Sequence, residues 1–199
     1  NERLIELLEN LGVLHLFKTC NGQLPDCERI ESSPCHASRV ELTQASLEAH
    51  QTLMEINLTA IAHNLNQYRG ELKKGVKLMA MVKAFAYGSG SAEVANLLQF
   101  HKVDYLAVAY ADEGVELRKA GIHLPIMVMN VDDAAFETIV ENSLEPELFS
   151  FNIFNAFISF LQKNGLQQYP VHIKLDTGMH RLGFESADIP VLVARLKAY

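Results

Sequence analysis

From residue 53 onward, short runs of β-prone apolar residues alternate with longer stretches in which apolar side chains recur at helical spacing. The pattern predicts strands at 53–58, 77–83, 105–109, 126–129, 145–149 and 171–175. Helices are predicted between them at 59–73, 91–100, 111–120, 132–142, 152–164 and 187–199. Thr59 is positioned to cap the first helix, and Gly121 and Gly165 to close two later ones. Strict β/α alternation implies a parallel sheet with right-handed crossovers, in an open doubly wound sheet or in a (β/α)8 TIM barrel. About five β/α units follow Lys77, a number that fits either. The last helical pattern reaches Tyr199 without a stop signal, so the chain is expected to be truncated in mid-element, roughly three units short of a closed barrel.

Residues 1–50 read differently. Leu4, Leu7, Leu8 and Leu11 form one helical stripe that Gly12 would end. Residues 19–38 are rich in Cys, Asn, Gly, Pro, Ser and Glu without periodicity, as in a linker. A boundary is expected near Gln51, separating a leader (1–50) from an α/β domain (51–199). Six residues separate Cys20 from Cys27 and seven separate Cys27 from Cys35, wider than zinc-ligand pairs, so no metal site is expected even with His15 and His36 nearby.

Composition narrows the function classes. With 49% hydrophobic and 21% charged residues, the chain can build a sizeable core. The net charge is −7, and no Lys/Arg cluster is interleaved with aromatics, which argues against a nucleic-acid partner. The longest apolar runs fall well short of the ~20 residues that cross a bilayer. Glu2, Arg3, Glu6 and Glu9 among the first leucines do not resemble a secretory signal, so a cytoplasmic protein is expected.

Two segments carry candidate chemistry. In the first, the strand ending Met81-Val82 meets Lys83 and runs through Ala84, Phe85, Ala86 and Tyr87 into Gly88-Ser89-Gly90. The C-terminal ends of barrel strands form the active face, where a lysine in partly apolar surroundings can form a Schiff base with an aldehyde. Taken alone, such a lysine can equally reach to water. In the second, His172, Lys174 and Asp176 share one face of a strand whose other face is Val171, Ile173 and Leu175. Turned into a barrel, those three ionisable groups need partners: either Lys174 and Asp176 pair with each other, or the cluster serves a ligand.

The words Val82-Lys83-Ala84-x-Ala86-Tyr87-Gly88-x-Gly90 and Lys174-x-Asp176-Thr177-Gly178-Met179-x-Arg181-Leu182-Gly183 together resemble the alanine racemases. These are fold-type III enzymes dependent on pyridoxal 5'-phosphate (PLP), built from an N-terminal (β/α)8 barrel and a C-terminal β domain. Glu55-Ile56-Asn57-Leu58, His63-Asn64 and the run from Ala109 through Tyr110, Ala111, Asp112 and Glu113 to Gly114 are similar too. The resemblance covers about Gln51 to the end and selects the barrel over the open sheet. It implies that Lys83 holds PLP and acts as acid/base on one face of alanine, that Tyr87 binds the cofactor phosphate, and that Arg181 approaches the cofactor's phenolic oxygen and the substrate carboxylate. Met179 would line the substrate site. Lys174, with Asp176 and His172 in support, matches a lysine that is carbamylated in some relatives and orients the arginine. Phe85 stands where many members carry Asp or Asn, and Ser89 where many carry His.

The resemblance further implies a cytoplasmic homodimer that makes D-alanine for peptidoglycan. Its second base, a tyrosine of the partner's C-terminal domain, would lie beyond residue 199, so residues 1–199 alone are not expected to racemise alanine. Some bacterial racemases follow a Mur ligase in one chain, and Leu47-Glu48-Ala49-His50-Gln51-Thr52 is similar to such a junction. A racemase of another amino acid and a non-catalytic PLP carrier are the alternatives; carriers lack the second word.

Overall fold

The structure, a computed structural model, describes residues 15–19 and 52–198. The predicted helix near Leu4 and the stretch holding Cys20, Cys27 and Cys35 lie outside the described residues. The chain divides into two compact units, Asn1–Val76 and Lys77–Tyr199.

In the first unit, β1 (His15–Thr19) pairs antiparallel with β2 (Thr52–Ile56), with His15 opposite Ile56 and Thr19 opposite Thr52. Strand β2 realises the prediction at 53–58, but its partner comes from a segment with no strand signal. The following helix, α1 (Leu58–Glu71), is capped by Asn57 rather than Thr59. The Asn57 Oδ1 accepts the Ala60 N–H at 2.9 Å, the geometry of a cap residue just outside the helix, whereas Thr59 is already inside it.

The second unit is a five-stranded parallel sheet in the order β3-β4-β5-β6-β7, formed by Met79–Met81, Tyr105–Val108, Ile126–Val128, Glu145–Leu148 and His172–Ile173. The connections contain α2 (Ser91–Phe100), α3 (Ala111–Lys119), α4 (Phe136–Glu141, behind a 3-10 turn at Asp133–Ala135) and α5 (Phe151–Lys163). A second 3-10 turn (Ser186–Asp188) leads into α6 (Ile189–Ala198). Gly121 and Gly165, at φ +84° and +66°, follow α3 and α5 as expected.

Sheet order equals chain order, so every crossover steps the same way. Right-handed crossovers then put all the helices on one side, the arrangement of a barrel wall and not of a doubly wound sheet. The structure is thus an α/β partial barrel. Strand parity divides its side chains accordingly. Leu106, Val108, Ile126, Val128 and Leu148 share the helix side of the sheet and are fully buried, as are Leu117, Ile139, Phe157 and Leu161. Phe154, Phe157 and Leu161 supply the buried stripe of α5, and Phe157 makes an edge contact with Phe136 at 5.0 Å between ring centres. The opposite, inner face carries Met79, Met81, Tyr105, Ala107, Met127, Glu145, Glu147 and His172, which the strand registers place on one side.

Candidate active site

Strand β3 ends at Met81, and Val82 continues its ladder by donating its N–H to the Ala107 carbonyl at 2.9 Å. Val82 is buried, and Lys83 follows it directly at the C-terminal end of the strand. From there the chain departs from anything the sequence suggests. Ala84, Phe85, Ala86 and Tyr87 have φ of 52°, 57°, 50° and 56°, a left-handed helical turn of four successive non-glycine residues (Lys83–Tyr87). Its carbonyls are satisfied in part by Gly88 N–H to Ala84 O at 3.2 Å and Gly90 N–H to Phe85 O at 3.0 Å, while the Ala86 N–H reaches back to Val82 O at 3.0 Å. Phe85 and Tyr87 are left exposed, and Lys83 is half-buried. Among the described residues Lys83 makes no ion pair and no side-chain hydrogen bond.

The second segment begins on β7, and here one of the two alternatives falls away. Lys174 does not pair with Asp176: its Nζ donates to Glu147 Oε2 of β6 at 3.0 Å. The reason is register. Strands β6 and β7 run parallel with Glu147 beside His172, so the inward residues of β6 face the inward residues of β7 sideways, closer than residues two apart on one strand. His172 likewise meets Glu145 Oε2 at 2.7 Å and packs edge-on against Tyr105. Burial, with Glu145 beside it, raises the pKa of the Tyr105 hydroxyl above its ordinary value, so it remains a neutral donor.

Asp176 instead shapes the loop that follows. Its Oδ1 accepts the N–H groups of Gly178 and His180, both at 3.0 Å, and its Oδ2 lies 3.0 Å from His180 Nδ1. The Gly178 and His180 amides stabilise the ionised carboxyl and hold its pKa below the ordinary carboxylate value. The loop is pinched shut where Asp176 N–H donates to Phe184 O and Phe184 N–H to Lys174 O, each at 2.9 Å. A Cβ on Gly183, at φ +130°, would lie 2.5 Å from the Asp176 nitrogen, so this close approach requires glycine. Met179, 73% exposed, and Arg181 sit on the outer turn of the loop.

Lys83 with Tyr87, and Met179 with Arg181, therefore stand at the same C-terminal end of the sheet, on its first and fifth strands, with β4, β5 and β6 between them. Three functional-site neighbours were given no role by the sequence, although Glu113 falls within the family-like run from Ala109 to Gly114. Glu145 and Glu147 alternate on β6 as His172 and Lys174 do on β7, and that matched parity of opposite charges was the available signal. Glu113 is the third: its Oε1 accepts the Ala84 N–H at 2.7 Å, and its Oε2 accepts those of Ala109 at 2.6 Å and Tyr110 at 3.2 Å.

Residues 56–199 match the family model described as "Alanine racemase, N-terminal domain". The chain is 40% identical over 137 residues to an alanine racemase of Methanococcus maripaludis, covering 68% of this chain and 36% of that protein. It is 37% identical over 152 residues to an amino-acid racemase of Enterococcus faecalis, covering 74% of this chain and 20% of that one. Among solved structures, an alanine racemase of Clostridium difficile 630 superposes with a TM-score of 0.63 at 36% identity, over 67% of this chain and 36% of the other. The chain thus spans little more than a third of the length of such alanine racemases.

Proposed function

The chain belongs to the alanine racemase N-terminal domain family, and on that footing we propose that it carries the lysine half of a PLP-dependent site interconverting L- and D-alanine in the full-length protein. The observation that carries this is Lys83: an amine without a carboxylate partner among the described residues, at the C-terminal end of a barrel-type strand. Lys174, engaged by Glu147, has no such freedom. An unpaired, half-buried lysine followed four residues later by an exposed tyrosine fits an aldehyde cofactor that bears a phosphate.

PLP, when bound, supplies an electron sink for the charge left on the substrate Cα after proton loss. The chain's own residues do the rest. Lys83 Nζ would hold the cofactor and, once displaced by the substrate amine, hold or return the Cα proton on one face. Tyr87 would donate to the phosphate, Arg181 would meet the phenolic oxygen and the substrate carboxylate, and Met179 would line the substrate space. Asp176 fixes the loop from which Arg181 and Met179 project. His172 and Lys174 would support that loop from below through their pairs with Glu145 and Glu147.

Strands four places apart in an eight-stranded ring lie across its mouth from each other. Strands β3 and β7 are four places apart, so closure of the ring would set Lys83 and the Arg181 loop on two sides of one opening. The remaining base and the homodimer contact would come from residues outside 1–199. The same reading places the full-length protein in the cytoplasm, supplying D-alanine to peptidoglycan. A second reading, racemisation of another amino acid, is supported by the likeness to the Enterococcus faecalis amino-acid racemase.

The test uses the full-length protein. Borohydride reduction in the presence of PLP followed by peptide mapping is expected to label Lys83. Assays of L-to-D conversion across amino acids are expected to show alanine as the preferred substrate, with Lys83→Ala abolishing turnover and residues 1–199 alone giving none. Retained turnover in Lys83→Ala would remove the proposal, and preference for another amino acid would select the second reading.

A further inference from the structure

The left-handed turn after Lys83 is four residues of backbone in a conformation that L-residues other than glycine enter at a cost. Something must hold it, and the bonds within the turn leave the Ala84 N–H without a partner of its own. That group is taken by Glu113 Oε1 at 2.7 Å. Glu113 lies on the first turn of α3, and its other oxygen accepts from Ala109 and Tyr110, where the chain leaves β4. One carboxylate thus bridges the exits of two neighbouring strands, β3 and β4.

A residue that merely capped α3 would need only the Tyr110 N–H. The bond to Ala84 spans 29 positions of sequence and contributes nothing to the cap. What it fixes is the amide plane directly after Lys83, and with it the direction in which the Lys83 side chain leaves the strand. We propose that Glu113 is a positioning residue: it clamps the Ala84 amide against the end of β4 and so aims Lys83 at the cofactor. The inference rests on Lys83 being the PLP lysine, as proposed above.

The test compares the full-length protein with Glu113→Gln and Glu113→Asp. Gln keeps one acceptor oxygen but turns an NH2 group toward the remaining amides. Asp keeps the charge and a helix-capping oxygen but is a methylene too short to reach Ala84. Two readouts are taken: amide hydrogen exchange without PLP, and the PLP concentration that half-saturates the borohydride-trapped adduct at Lys83. Loss of a charge-assisted hydrogen bond is expected to speed exchange at Ala84 about tenfold and to raise half-saturation by about tenfold in both variants, with exchange across 114–119 unchanged.

The clamp is overturned if wild type is labelled at Lys83 while both variants keep its half-saturation. It is also overturned if Ala84 exchange rises only together with exchange throughout α3, which would mark a general structural role. If wild type is not labelled at Lys83 at all, the cofactor assignment fails and takes the clamp's purpose with it; the other two failures leave that assignment standing.

Discussion

Glu147 and Lys174 sit on an inner sheet face where charges are expensive, and their pairing at 3.0 Å offsets that cost instead of adding much to stability. Side-chain exposures of 22% for Lys174 and 12% for Glu147 place the pair between a surface ion pair and a buried one. Removing one partner strands the other. Lys174→Met or Glu147→Leu alone is therefore expected to lower unfolding free energy by about 2 kcal/mol, between the ranges for exposed and buried pairs. The double variant is expected to return to within about 1 kcal/mol of the parent, since two apolar side chains need no compensation. Urea unfolding of the four proteins checks this, and additive losses in the double variant would contradict it.

The left-handed turn at Lys83–Tyr87 illustrates what an element can hide. Phe85, at φ 57° and 63% exposed, gains no core packing to offset its backbone conformation. Asparagine tolerates that region better than phenylalanine because its short side chain bonds locally. Phe85→Asn is expected to stabilise the protein by about 0.5–1 kcal/mol in thermal unfolding, and a destabilisation would show that the ring packs against something. The turn was illegible because Ala84, Phe85, Ala86 and Tyr87 have ordinary right-handed preferences, and nothing local marks four positive φ values in succession. It is imposed by the hydrogen bonds to Val82 and Glu113. The parallel strands were legible because strands buried on both faces read as short continuous apolar runs, as in Leu106-Ala107-Val108 and Ile126-Met127-Val128, set between stretches of helical spacing. The partnership of His15–Thr19 with Thr52–Ile56 was not, because antiparallel pairing between distant segments leaves no trace in either one's periodicity. At the candidate site, the lysine and the arginine loop could be read from residue order, while the partners of Lys174 depended on register between two strands.

At the scale of the whole molecule, sheet order settles more than strand count. Five strands in chain order with all crossovers alike form a wall that curves toward closure, leaving an inner face that must be covered from within. Toward β6 and β7 that face is covered by charges in pairs. Toward β3 it is apolar: Met79 is 41% exposed, and within Lys77–Tyr199 strand β3 is hydrogen-bonded on one side only. At the other margin, the Leu175–Phe184 bridge occupies part of the edge of β7. The two margins are therefore unequal, and within Lys77–Tyr199 strand β3 leaves one backbone edge unpaired with Met79 on its inner face. Residues 1–199 prepared as an isolated polypeptide are expected to self-associate at micromolar concentrations, as unpaired strand edges do. Met79→Lys should raise the concentration at which sedimentation velocity detects oligomers, because a charge on an edge strand opposes pairing. The same substitution at the exposed Val191 of α6 should not, since it adds a charge away from any strand edge. Equal effects from both would mean that association responds to net charge and not to the β3 margin.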